Sequence, residues 1–304
     1  MLNRAHIMKL AGILLIGLSS ASVQAVPIPS LYVSNHWGAN ILKFDYHGSA
    51  LPGVKDTGFT AGISRPQGLA YRADGADGII YGVSSISNTI RRFNAKTGAS
   101  VPPVPFIGLG SPGEGGGLTS APNGDLYVTQ SGPISRVLWY NHTDESPSVF
   151  VSGLNQPHDL TFGPDGYLYV ADAGSGQVLV FDSTGAPVRS ISVPGVGGVA
   201  FGPDGKLYAS GNNKILRYLA TGAFDTEFVP SVESPYGLTF GPDGNLYVAS
   251  VSTGTVKRYN GSTGADMDIF ASGLNSPTHV LFIPEPGTLS LLALGGLAVM
   301  RRRR

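Results

Sequence analysis

One phrase of about eleven residues recurs along this chain and constrains its fold more than any other feature. The clearest copies read LTFGPDGYLYV (160–170), VAFGPDGKLYA (199–209) and LTFGPDGNLYV (238–248), and looser copies lie at 118–128 and 69–82. A sixth copy is divided between the two ends of the chain, with VLF at 280–282 and LYV at 31–33. Repeats with a period of about 20–50 residues are typical of solenoids, propellers and arrays.

Each copy belongs to a unit of four short strands, which we label a to d. Strand a precedes the G-P-D-G turn, strand b contains LYV, strand c ends on an aromatic residue, and strand d completes the unit. The tyrosines of strand b mark the period, at positions 32, 81, 127, 169, 208 and 247. Four strands per ~40–50 residues predict an all-β, six-bladed β-propeller with four antiparallel strands in each blade. The divided copy predicts that the C-terminal strand a closes the ring by joining the N-terminal strands b to d.

The composition agrees with short strands and tight turns. The chain has 43 glycines, 22 prolines, no cysteine and 13% charged residues, and it lacks a long helical period. Between positions 26 and 283 there are 14 basic and 19 acidic residues, since six basic residues and Glu285 lie outside this range; the net charge of this part is therefore −5. Its basic residues are scattered, which argues against nucleic acid as a partner.

The first 25 residues have the pattern of a secretory signal peptide. A basic start is followed by the apolar stretch Leu10–Leu18 and by small residues ending at Ala25. We therefore expect a signal peptide at 1–25, with cleavage after Ala25, and a propeller domain over 26–283.

The C-terminal segment 284–304 has three parts in a fixed order. Pro284, Glu285 and Pro286 are followed by an apolar run at 287–300 and by four arginines. This arrangement resembles the PEP-CTERM sorting tail of exported bacterial proteins. The resemblance implies processing by an exosortase-type enzyme, membrane contact through this segment before processing, and export to the cell envelope, surface or extracellular matrix.

Three stretches within the repeats, GPDGNLYVAS, ADAGSGQVLVFD and PYGLTF, are similar to NHL-repeat and to gluconolactonase- or streptogramin-lyase-like propellers. The resemblance covers roughly residues 30–283. It implies a scaffold that hosts binding modules and enzymes alike, so function has to be argued from the site.

The candidate site lies where the six strands a begin. Aligning the repeats places these residues at one equivalent position: Gly68, Gly117, Asp159, Gly198, Gly237 and His279. Asp159 and His279 are three blades apart, so we expect them to face each other across the channel mouth. The preceding position adds Gln67, His158 and Tyr236, and the b–c loops add His36 and Asp172.

The predicted ligand-binding site consists of His36, Gln67, His158, Asp159, Asp172, Tyr236 and His279. Among them, His158, Asp159 and His279 are candidates for holding a divalent cation. In the alternative interpretation, His158 and Asp159 cap strand a and line a water-filled channel, and Asp172 forms an Asx turn. The aspartates of G-P-D-G belong to the opposite face and are interpreted as turn formers.

Two functions remain open from the sequence. The first is an exported binding or scaffold protein whose partner is a polysaccharide, a peptide or a neighbouring surface protein. The alternative is a metal-dependent lactonase or lyase, which would need a carboxylate-rich metal cradle at the mouth. For that role Glu114 is the nearest glutamate, in the segment 108–117, which is otherwise interpreted as a flexible connection between strands d and a.

Overall fold

The computed structural model describes residues 29–45, 54–56, 59–60, 62–103, 107–109, 114–143 and 146–283. The predicted signal peptide (1–25) and the sorting segment (284–304), including Pro284, Glu285 and Pro286, lie outside the described residues.

The described residues form 24 strands in six four-stranded antiparallel sheets. In chain order the strands are β1 (Ser30–Asn35), β2 (Asn40–Asp45), β3 (Val54–Asp56), β4 (Pro66–Arg72), β5 (Ile79–Ser84), β6 (Thr89–Asn94), β7 (Ile107–Gly108), β8 (Glu114–Ser120), β9 (Leu126–Ser131), β10 (Arg136–Tyr140), β11 (Pro147–Ser152), β12 (Pro157–Phe162), β13 (Leu168–Asp172), β14 (Gln177–Phe181), β15 (Pro187–Ser192), β16 (Val199–Phe201), β17 (Leu207–Gly211), β18 (Lys214–Tyr218), β19 (Phe224–Val229), β20 (Pro235–Phe240), β21 (Leu246–Ser250), β22 (Thr255–Tyr259), β23 (Asp266–Ala271) and β24 (Pro277–Ile283). Blade 1 has the order β24-β1-β2-β3, and blades 2 to 6 follow in sequence from β4–β7 to β20–β23.

The two ends of the propeller meet in blade 1, which confirms the predicted closure. Strand β24 pairs antiparallel with β1, with Leu31 opposite Phe282 and Val33 opposite Val280. The pairing shifts between Val33 and Asn35, where Asn35 faces Pro277. One blade is thus assembled from both ends of the chain.

The repeated phrase recurs because its aromatic residues join neighbouring blades. A strand b tyrosine meets the phenylalanine of the next blade's strand a edge to face in four pairs: Tyr127–Phe162, Tyr169–Phe201, Tyr208–Phe240 and Tyr247–Phe282, with ring centroids 4.8–5.1 Å apart. Such geometry is favourable for aromatic quadrupoles beyond the area that it buries. The last pair belongs to the closing contact between blades 6 and 1.

Strand c contributes a branched and an aromatic residue to the core of each blade. Its branched and aromatic residues are at most 5% exposed in every blade: Ile41 and Phe44, Ile90 and Phe93, Val137 and Tyr140, Val178 and Phe181, Ile215 and Tyr218, Val256 and Tyr259. Because residues three apart on a strand point to opposite faces, each pair packs against the blades on both sides.

The G-P-D-G turns lie on the face formed by the a–b and c–d turns, which we call the turn face. Asp165, Asp204 and Asp243 each accept the backbone N–H two residues on and the hydroxyl of the strand b tyrosine, the latter at 2.8–3.1 Å. The following glycines have φ of 72–79°, a left-handed conformation in which glycine carries no steric cost. These aspartates therefore hold the turn and its tyrosine together.

Blade 3 replaces this arrangement with a buried carboxylate. Asp125 accepts hydrogen bonds from Trp139 Nε1 (2.8 Å), His142 N (2.9 Å), the His142 ring (2.6 Å) and Asn123 Nδ2 (2.8 Å). Burial alone raises the pKa of Asp125, but these hydrogen bonds outweigh it and hold the pKa at about 2.

We therefore expect Asp125→Asn to lower the free energy of unfolding by about 2 kcal/mol at pH 7. Because the folded-state pKa is depressed, this contribution is complete above the unfolded value near 3.8 and is lost as the pH falls through about 2. Denaturant unfolding of both chains between pH 7 and pH 2 checks this. A difference that stays constant down to pH 2 would contradict it.

One sequence interpretation needs correction. The sequence favours a flexible connection between strands d and a at 108–117, but strand β8 begins at Glu114 and pairs with β9 through Glu114–Ser131 and Gly115–Gln130. Its glycines join the sheet because strand a of blade 3 lies close to its neighbours at the axis. The described part of the chain contains no helix whose length and hydropathy would let it span a bilayer.

Candidate functional site

The six strands a surround the axis, and the b–c turns and d–a loops gather at one end, which we call the mouth face. The strands approach so closely that glycine is required at most positions of the inner ring. A Cβ on Gly117 would lie 2.7 Å from Asp159 Cα, and one on Gly237 would lie 2.9 Å from His279 Cα. Asp159 and His279 are thus the ring positions where side chains occupy the axis.

Asp159 and His279 contact each other inside the ring. The distance between Asp159 Oδ1 and His279 Nδ1 is 3.8 Å, and both side chains are largely buried. Asp159 Oδ1 also accepts Leu160 N (2.9 Å), and Oδ2 accepts Val199 N of the next blade (3.0 Å). The pair therefore closes the axis at this level instead of flanking an opening.

A smaller cavity of about 300 Å³ lies on the far side of this pair and is lined by strands a of all six blades, with His279 at one end. Burial raises the pKa of Asp159 and lowers that of His279, while the attraction between the two groups opposes both shifts.

The larger polar side chains of the mouth come from alternate blades. Gln67, His158 and Tyr236 belong to blades 2, 4 and 6, and the carbonyl oxygen of each accepts a strand b hydroxyl of the preceding blade. The donors are Ser34 (2.6 Å), Thr129 (3.2 Å) and Ser210 (2.7 Å). These bonds hold the backbone from which the three side chains project, on alternate blades around the mouth.

His158 and Tyr236 lie against each other, with ring centroids 5.6 Å apart and an interplanar angle of 30°. Burial lowers the pKa of His158 and raises that of Tyr236, so both rings are neutral near pH 7. His158 Nδ1 is buried and has no hydrogen-bond partner.

The other two predicted residues hold loops in place. Asp172 Oδ1 accepts Asn155 N at 2.7 Å and so ties a b–c turn to a d–a loop. The His36 ring lies 3.4 Å from the carbonyl oxygen of Pro66 and packs edge to face on Trp37. Neither residue lines the same space as His158.

One cavity at the mouth lies off the axis, and we call it the mouth cavity. Its volume is about 810 Å³, within the range of roughly 300–1,000 Å³ in which proteins bind small molecules. It is lined by residues of blades 2, 3 and 4: Arg65, Ser85, Ile86, Ser131, Gly132, Pro133, Gln156 and His158. Of the predicted site residues, His158 lines this cavity.

Sequence reasoning missed Arg65, Ile86 and Gln156. Arg65 and Gln156 directly precede the prolines that begin strands β4 and β12, as Ser234 and Ser276 precede those of β20 and β24. All four have left-handed backbone, with φ between 43° and 55°. The repeated X-Pro step was visible in the sequence, but the positive φ that turns these side chains was not.

A metal site finds limited support in this arrangement. The described residues contain no group of three or more His, Cys, Asp or Glu side chains placed to hold a metal ion. Both carboxylate oxygens of Asp159 already accept backbone N–H groups. The side chain of Glu114 lies outside the described residues. A divalent cation at His158, Asp159 and His279 stays a prediction.

Comparison with known proteins identifies two segments and the fold. Residues 282–304 match the PEP-CTERM protein-sorting motif, and residues 154–181 match the NHL repeat. No curated protein matches the chain.

Solved structures share the architecture at low sequence identity. Catalytically inactive virginiamycin B lyase from Staphylococcus aureus with quinupristin is 18% identical, with a TM-score of 0.59 over 87% of this chain and 94% of that chain. A chain of the nidogen/laminin complex is 16% identical, with a TM-score of 0.68 over 84% and 98%. A protein of unknown function from Bacteroides caccae is 14% identical, with a TM-score of 0.63 over 85% and 100%.

The chain is therefore a six-bladed β-propeller with NHL-repeat character and a C-terminal PEP-CTERM motif. The sorting motif indicates an exported protein at the bacterial cell surface and implies an exosortase-type processing partner. The similarity to the lyases shows the fold alone.

Proposed function

We propose that this protein is a non-enzymatic binding protein of the bacterial cell surface or extracellular matrix, and that it binds polysaccharide in the mouth cavity. In this proposal the signal peptide 1–25 is removed on export, the propeller 26–283 carries the site, and an exosortase-type enzyme processes the chain near Pro284-Glu285-Pro286.

The mouth cavity is the observation that carries the proposal. It combines the imidazole of His158 with the Gln156 amide and with two serine hydroxyls that can accept hydrogen bonds from a ligand. Ile86, 62% exposed, places an apolar surface at its edge. A few convergent polar groups beside apolar surface are typical of ligand sites.

Binding accounts for the cavity better than the lactonase or lyase hypothesis does. The lining residues that the structure describes include neither a carboxylate nor an activated nucleophile, and Asp159 and Asp172 are engaged with backbone N–H groups. The hypothesis of a lactonase or lyase stays a prediction without a supporting contact among the described residues.

Equilibrium binding of the full chain to surface polysaccharide from the bacterium that produces it tests the proposal. We expect Ile86→Asp to weaken binding at least about tenfold, because it removes apolar contact and places a charge at the cavity edge. Met267→Asp is the matched control, since Met267 is 42% exposed on the outer strand β23, and it should bind as the wild type does. A wild-type chain that binds no polysaccharide, or two variants with equal effects, would overturn the proposal. Capture of a surface protein in its place would favour the second candidate partner.

A further inference from the structure

The charge carried by the described lining residues of the mouth cavity is positive. Its lining includes the guanidinium of Arg65, and its other polar groups are the neutral side chains of Ser85, Ser131, Gln156 and His158. No aspartate or glutamate is among the lining residues that the structure describes. This distribution stands out in a chain whose positions 26–283 carry a net charge of −5.

Arg65 is held in place without neutralisation. Its guanidinium carbon lies 3.9 Å from the centroid of the Trp37 ring. The Arg65 side chain has no hydrogen bond or ion pair with another described residue, whereas Arg72, Arg217 and Arg258 each contact an aspartate within 4 Å. A stacked guanidinium keeps its N–H groups available in the plane of the fork, where they match a carboxylate.

Two residues of the cavity lining have left-handed backbone. Among the residues that the structure describes, all non-glycine residues with positive φ lie on the mouth face: Ala39, Arg65, Asn88, Gln156, Asn212, Asn213, Ser234 and Ser276. On the turn face the same conformation is taken by glycine, as in the G-P-D-G turns. The conformation recurs before the prolines of four blades, at Arg65, Gln156, Ser234 and Ser276, and so belongs to the propeller repeat. Arg65 and Gln156 are the two that line the mouth cavity.

The hydroxyl groups of the cavity are oriented to accept. Ser85 Oγ donates to the carbonyl oxygen of Arg65 at 3.1 Å, and Ser131 Oγ donates to that of Pro157 at 2.7 Å. Their remaining lone pairs and the Gln156 amide can pair with several hydroxyl groups of one ligand.

We propose that the mouth cavity binds a uronic-acid type of sugar within an acidic polysaccharide, with Arg65 contacting the sugar carboxylate. Ser85, Ser131, Gln156 and His158 pair with ring hydroxyls, and Ile86 and Pro133 contact the apolar face of the ring. This inference rests on the proposed function and gives the chemical class of its ligand.

A sugar fits the cavity better than an acidic peptide does. Peptides that add to a sheet use an open strand edge for main-chain hydrogen bonds. The walls of the mouth cavity are instead turns and loops, whose polar side chains complement a ring with many hydroxyl groups.

The test uses the full chain and surface polysaccharide from the producing bacterium, before and after chemical reduction of its carboxyl groups to alcohols. Poly-glutamate serves as the peptide probe. We expect carboxyl reduction to weaken binding at least about tenfold, and Arg65→Gly to weaken binding of the unreduced polymer by the same factor. Ser276→Gly is the matched control, because it removes the same left-handed strain before a proline outside the cavity.

Arg65→Gly also separates binding from folding. Glycine relieves the positive φ, so we expect a melting temperature that does not fall by more than a few degrees although binding is lost. Equal binding of the reduced and unreduced polymers, with Arg65→Gly indifferent, would overturn this inference and leave the proposed function standing. Equal, Arg65-dependent binding of poly-glutamate would overturn the assignment to sugar, and failure of every polymer to bind would overturn both.

Discussion

A chain that ends at Ser276, without strand β24, is expected to lose cooperative unfolding altogether. Strand β24 pairs along β1 and carries Val280 (2% exposed) and Ile283 (3% exposed) into the core of blade 1. Phe282 also fills the contact between blades 6 and 1 through its edge-to-face pair with Tyr247 at 4.8 Å.

The expected loss is large because a ring has no other way to cover these surfaces. Burial of a large apolar side chain stabilises by about 1.5–3 kcal/mol, so three such side chains contribute a sum comparable to the whole net stability of about 5–15 kcal/mol. Without β24 the edge of β1 is also left open to pairing with other chains.

Thermal and denaturant unfolding followed by circular dichroism checks this expectation. A chain that ends at Ile283 is the control: all 24 strands of the described residues lie before position 284, so its melting temperature should match that of the full chain. A cooperative transition in the chain that ends at Ser276 would show that the ring does not depend on its closing strand.

Asp159→Ala is expected to lower the free energy of unfolding by about 3–5 kcal/mol. The change leaves the N–H groups of Leu160 and Val199 without their acceptor and removes the partner of His279 at the axis. Removing one member of a buried, hydrogen-bonded polar group costs this much because its partners stay buried and unpaired.

Asp266→Ala provides the comparison. Asp266 pairs with Lys257 at 2.8 Å, but its side chain is 57% exposed, and exposed ion pairs contribute about 0–1 kcal/mol. Denaturant unfolding of the two variants should therefore differ by several kcal/mol. Equal, small losses would mean that the pair at the axis does not hold the inner ring together.

The fold was predictable from the sequence because each repeated residue makes a repeated contact. The strand b tyrosine donates a hydrogen bond to the turn aspartate of its own blade and packs on the phenylalanine of the next blade. The repeated phrase therefore predicts both the structure of a blade and its contact with the neighbouring blade. The copy of the phrase that is divided between the two ends of the chain predicted the closure of the ring for the same reason. The register of β24 on β1 follows from which residues must face the core.

The site was less accessible, because it depends on exceptions to the repeat. The breaks in the glycine pattern at Asp159 and His279 indicated the axis, but the 3.8 Å contact that closes it depends on how tightly six strands pack. The mouth cavity depends on loop conformation: Arg65 and Gln156 face it from left-handed backbone that the sequence does not reveal.

Hydrogen exchange of the full chain, with and without surface polysaccharide from the producing bacterium, tests the binding site most directly. We predict added protection of the backbone amides that line the mouth cavity, at Arg65, Ser85, Ile86, Ser131, Gly132, Gln156 and His158, with the G-P-D-G turns of the opposite face unchanged. Protection confined to the turn face, or to the outer groove lined by Val151–Leu154 and Pro187–Ser190, would contradict it.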